Sequence, residues 1–359
     1  MAVSPFVDFE QYLYAAPFNS APGKARVLWD ALSHEHPLVL VDRPGFWFSA
    51  FEKHVEMSYA SVEALWFAAY CYTLLYQERI AQQCQSEFQA IILQNEAGRS
   101  AIDHYRWSLL RLHRERDEDW PANAPSPTMA EADSIERHAT EFFLVAFAWV
   151  LHHELGHLLL QRPIDPKIPT KEREWQADTH ATQWLFDGAA DPLVRRKLFV
   201  GVTIALGFLG ARKPPTQDSD THPPPYDRLD KMLQAATQVD EEPAYAFALN
   251  ALLTNWTIGG HETWIQASNG TFKELFVEFG RALRNEEQET WARIDAQMGF
   301  LYEGFVRGPL TEDDQRKLAY ALWEDRGRPL GSPERDWYMA AEILRYCRWN
   351  LFLTETTKQ

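Results

Sequence analysis

Apolar residues recur at helical spacing along most of the chain. From Ser58 to Glu87, Ala64, Phe67, Ala68, Cys71 and Leu75 share one face of a predicted long helix, and another helix is predicted from about Ala101 to Arg116. Thr128, with Glu131 three residues on, is a capping-box signature. The helix it opens is predicted to run through Phe142 to Leu151, where there is no polar face, and to stop at Arg162-Pro163. A helix apolar all round belongs in a protein interior, so polar residues directly after it are expected to be buried or to line a cleft. Thr170 is placed to cap a further helix that Asp187-Gly188 ends. The clearest strand pattern spans Pro37 to Phe51, where Leu38 to Val41 leads through Asp42-Arg43-Pro44-Gly45 into Phe46-Trp47-Phe48, as in a β-hairpin. The longest nearly unbroken apolar run, Leu198 to Ala211, is shorter than the about 20 residues that cross a bilayer and reads as a buried helix.

Proline clusters at 121–127, 162–170, 213–225 and 327–333 punctuate these elements. They suggest an N-terminal domain (1–120) with a β-hairpin and helices, a helical core (121–310) and a C-terminal helical hairpin (311–359). The predicted fold class is mainly α (α+β), with a small N-terminal β element.

The chemistry follows the apolar helix. His153-Glu154-Leu155-Gly156-His157 is an H-E-x-x-H sequence. Helix positions four apart lie about 40° apart around the axis and about 6 Å apart along it, so both imidazoles can meet one metal ion. Glu154, one residue round, is left off the metal and free to act as general base on a water at the open coordination position. A pair of satisfied core histidines is the structural alternative. Catalytic zinc needs a third protein ligand, and no histidine follows six residues on. On the next predicted helix Glu174 and Asp178 share a face, with Ala177 and Ala181 small enough for close helix approach. We assign Glu174 as third ligand and Asp178 as the acceptor that orients a ligand histidine; a solvated acidic face fits the same spacing. His152, His180 and Tyr226 are further candidates for the cleft wall.

Glu174-Trp-Gln-Ala177-Asp178 after H-E-x-x-H resembles the E-x-x-A-D motif of gluzincin metallopeptidases, including the prenyl-protein-processing and heat-shock membrane peptidases. His222-Pro223, followed by Arg228, is similar to the H-P-x-x-x-x-R segment of the same families. The resemblance implies that His222 stabilises the oxyanion, with Tyr226 as a second donor, and that Arg228 ties this segment to Asp178. The membrane-spanning helices of those families are missing, and the acidic character is closer to the cytoplasmic Lit-type phage-exclusion peptidases. That likeness implies a Zn²⁺-dependent endopeptidase acting on an intracellular protein, in phage defence. A catalytically inactive metal-binding scaffold and a partner-binding helical protein are the rival readings. Near the C-terminus, Tyr320, Trp323, Gly327, Arg328, Pro329 and Trp337 resemble a short bacterial domain of unknown function, and the hairpin they predict is expected to dock on the chain or on a protein partner.

Composition narrows the field. With 46% hydrophobic residues in 359, the chain can bury a large core. Its 35 basic and 51 acidic residues give a net charge of −16, which disfavours nucleic acid as a partner. The three cysteines lack C-x-x-C spacing, and the N-terminus lacks a secretory pattern; both fit a cytoplasmic protein with no stable membrane insertion.

Overall fold

The computed structural model describes residues 4–30, 32, 38–43, 45–51, 54–83, 96–113, 120–130, 132–160, 168–212, 222–236, 241–258, 271–285, 316–317 and 319–320. Helices dominate: α1 (Glu10–Ser20), α2 (Ala25–Asp30), α3 (Tyr59–Gln83), α4 (Glu96–His113), α5 (Ile135–Leu160), α6 (Thr170–Phe186), α7 (Pro192–Arg212), α8 (Pro225–Ala236), α9 (Glu241–Ile258) and α10 (272–285). Three short strands, β1 (Leu38–Val41), β2 (Phe48–Ala50) and β3 (Val55–Ser58), form one small sheet.

α5 is the central rod. It is apolar all round, and Phe143, Phe147, Trp149 and Leu151 are at most 1% exposed. By length and composition it could cross a membrane, yet 72% of its most apolar window is buried by α1, α3, α6, α7 and the sheet. Burial of each large side chain stabilises this arrangement by about 1.5–3 kcal/mol. The apolar run after Leu198 lies in α7, where Leu198 through Phe208 is largely buried against α5 and α9. Gly201 permits that crossing, since a Cβ there would stand 2.3 Å from Cγ1 of Val145.

Two helix starts differ from expectation. α5 begins at Ile135, with Ser134 Oγ accepting the N–H of Arg137. Thr128 instead folds back on the helix, its N–H donating to Thr140 Oγ1 and its own hydroxyl accepting from Ala130. α6 opens with Pro169 at the N-cap and no side-chain cap; Thr170 Oγ1 accepts from Arg173 Nη2. Its end is as expected, at Asp187 and Gly188, whose φ is +83°.

The expected hairpin between β1 and β2 does not form. The strand order is β1-β3-β2, with β1 parallel and β2 antiparallel to β3. The Gly45–Trp47 segment is tied to the start of α3, through Ser58 Oγ donating to the Gly45 carbonyl and Trp47 N–H donating to Ser61 Oγ, which carries the chain to the far side of β3. The true hairpin joins β2 and β3, closed by Phe51 N–H on the His54 carbonyl.

Residues 1–258 and 263–284 form one compact unit, and 259–262 with 285–359 form another. The boundary expected at residue 120 therefore does not divide the molecule: Phe6 packs on Phe143, and Trp66 Nε1 donates to Thr140 Oγ1. The expected C-terminal hairpin falls almost wholly outside the described residues.

Candidate metal centre

His153 and His157 lie one turn apart on α5, and their Nε2 atoms are 3.1 Å from each other. Glu174 comes from α6: its Oε2 is 3.4 Å from His153 Nε2, and its Oε1 is 3.5 Å from His157 Nε2. Ligand atoms about 2.0–2.2 Å from a tetrahedral zinc stand about 3.3–3.6 Å apart. The three side chains can hold a metal ion, and the donor set of two imidazoles and one carboxylate suits a divalent cation. Glu174 Oε2 is buried without a hydrogen-bond partner, an acceptor that such a cation would satisfy.

Close helix contact makes the convergence geometrically feasible. Gly156 faces Ala177, and a Cβ on Gly156 would stand 3.0 Å from the Ala177 Cα. α5 and α6 therefore approach nearly backbone to backbone, with Glu174 and Asp178 on either side of Ala177. Asp178, fully buried, lies with Oδ1 2.9 Å from His153 Nδ1. A carboxylate there keeps the ring proton on Nδ1 and turns the Nε2 lone pair toward the centre. Arg228 of α8 donates to both oxygens of the same carboxylate, through Nε at 2.8 Å and Nη2 at 2.6 Å.

The site attracts positive charge. Burial alone would lower the pKa of His153, but the carboxylates of Asp178 and Glu174 outweigh it and push the value up to about 10. Burial likewise raises Glu174 and Asp178, yet His153, with His157 at Glu174 and Arg228 at Asp178, brings each down to about 2. A divalent cation can take the place of the imidazolium proton. Glu154 is set apart: burial raises its pKa, against the pull of His153 and His157, which suits a group that must accept a proton.

The remaining candidates divide. His222 brings Nε2 to 3.6 Å from Glu174 Oε1, with its side chain 48% exposed. Tyr226 is directed elsewhere: its ring stacks on Phe276 and its hydroxyl donates to the Phe276 carbonyl. His152 and His180 pack around Trp184, where burial, reinforced by His180, lowers His152 to about 3. One neighbour was not foreseen in the sequence. Trp149 stacks on His153 at 5.6 Å while donating to Thr182 Oγ1, and the signal for it was its position one turn before the first histidine.

Comparison with known proteins agrees with this chemistry. The chain is 25% identical over 239 residues, 63% of its length and 80% of the relative's, to the cell death peptidase of Escherichia coli strain K12. Residues 312–345 match a protein of unknown function (DUF2934). No solved structure matches. Residues 55–248, which include every site residue above, match the peptidase U49 model, and the chain belongs to that peptidase family.

Proposed function

We propose that this peptidase is a zinc-dependent, gluzincin-type endopeptidase that cuts an intracellular protein. The observation that carries the reading is the gathering of His153, His157 and Glu174 ligand atoms within 4.8 Å of one another, with Glu154 beside them. A zinc ion held by those three residues would supply Lewis-acid polarisation of the scissile carbonyl and a water of lowered pKa. Glu154 would act as general base toward the attacking water and return the proton to the leaving amine. His222, half exposed at the rim, donates to the oxyanion, a contribution of about 3 kcal/mol in comparable sites. Tyr226 has no part in this step, because its hydroxyl is committed to Phe276. Asp178 fixes the His153 ring, and Arg228 fixes Asp178.

Similarity to a protein named cell death peptidase supports a role in which cleavage ends the life of the cell, one form that phage defence takes. The test joins metal analysis with a digest of cell extract, comparing the parent with Glu154→Gln. Equal zinc in both and cleavage by the parent alone are expected. Full cleavage by Glu154→Gln overturns the reading.

A further inference from the structure

The first turn of α8 carries Tyr226, which follows His222 and precedes Arg228. Only Pro223, Pro224 and Pro225 stand between His222 and Tyr226. Each pyrrolidine ring locks its own φ, and a proline also restricts the residue before it, so the connection is a short, stiff strut. Asp178 holds the other side of the same turn, through Arg228. Whatever fixes Tyr226 therefore bears on where His222 stands.

α10 fixes it. The Tyr226 ring stacks on Phe276 with centroids 5.1 Å and planes 20° apart, and its hydroxyl donates to the Phe276 carbonyl at 3.4 Å. One turn on, Gly280 makes room for the ring, since a Cβ there would overlap it. A further turn on, Arg284 lies 4.9 Å over the ring and pairs with Asp227. Phe276, Gly280 and Arg284 are spaced as one stripe of the helix, and that stripe meets Tyr226 and its neighbour. α10 is itself anchored on α9: Phe272 N–H donates to Glu242 Oε2 at 2.8 Å, and Tyr245 meets Phe276 edge to face.

We propose that α10 is a positioning element of the active site, closing on Tyr226 to hold His222 at the rim of the metal centre where it meets the oxyanion. The proposal rests on the reading of His222 as that donor. It gives a task in catalysis to Tyr226 and to a helix beyond the residues that match the peptidase family.

Gly280→Ala puts a methyl into the clamp and must push α10 off Tyr226. The probe is a peptide spanning the cut site mapped in the extract digest. Misplacing a catalytic group by about 1 Å costs up to about 100-fold in rate, so kcat is expected to fall about tenfold, with KM and zinc content unchanged. A double-variant cycle separates positioning from general loosening. His222→Ala alone should lower kcat about 100-fold, and adding Gly280→Ala to it should change nothing more, because no donor is left to misplace. Parent-like kcat in Gly280→Ala overturns the proposal, and so does the same loss in both backgrounds. Should Gly280→Ala fail to fold, Arg284→Ala alters an exposed side chain and is read in the same way. It should lower kcat about threefold with His222 present and not at all without it, and any other pattern overturns the proposal. The two ideas fail separately. A fully active His222→Ala removes the donor itself, whereas an impaired His222→Ala beside a parent-like Gly280→Ala removes only the role of α10.

Discussion

Asp178 serves two neighbours with one carboxylate, and the two services can be separated. Toward Arg228 it is half of a buried ion pair; toward His153 it is the acceptor that orients the imidazole ring. Asp178→Leu should cost about 3–5 kcal/mol, since Arg228 is left buried and uncompensated. In the double variant Asp178→Leu/Arg228→Met no charge is stranded, and stability in urea should return most of the way. Zinc affinity should stay about 10–100-fold below the parent, because the His153 contact is still missing. Recovery of both together would contradict this division. His152 offers a test in pH. Its folded pKa of about 3 lies below the ordinary value of about 6.5, so between those limits the unfolded chain binds a proton that the folded one refuses. Its contribution to stability is complete above the unfolded value and declines as pH falls toward 3. In urea titrations from pH 7 to 4.5, parent stability should fall relative to His152→Leu by at most about 1.4 kcal/mol per unit. At this scale the sequence was most informative. Spacing placed His153 and His157 together and singled out Glu174 and Asp178 on the next helix, and the motif resemblance added His222 and Arg228. Tyr226 was legible as a residue type near the motif but not as a direction, which the packing of Phe276 determines.

At the scale of elements, the site depends on how closely two helices cross. Gly156→Ala gains helix propensity of about 1 kcal/mol, but the added methyl meets the Ala177 Cα at 3.0 Å, a backbone atom that cannot rotate aside. The helices must part, carrying Glu174 away from the histidines. We expect a modest stability loss, within about 2 kcal/mol, together with a zinc affinity at least about tenfold lower; an unchanged affinity would show that the close crossing is not needed. The existence and rough extent of α3 and α5 were legible from apolar periodicity, and those of α6 from the bounding residues Thr170 and Asp187-Gly188. Their first turns were less so, because Thr128 and Ser134 can both cap and only the fold selects between them. The sheet was misread for a related reason: strand patterns report pleat and burial, whereas pairing depends on bonds such as that of Ser58 with Gly45, far apart in the chain.

Across the whole molecule, the peptidase family match begins at Val55, yet the residues before it complete the same compact unit, through Phe6 on Phe143 and β2 along α5. The proline cluster at 121–127 lies inside that unit, so a boundary at residue 120 looked plausible from the sequence alone. The account as a whole depends on one cation lying between α5 and α6. Diffraction from crystals of the zinc-loaded protein, recorded on both sides of the zinc absorption edge, tests this most directly. The account predicts a single strong anomalous peak about 2.0–2.2 Å from His153 Nε2, His157 Nε2 and a Glu174 carboxylate oxygen. Active, zinc-loaded crystals with the peak elsewhere, or with Glu174 turned away from it, would contradict the account.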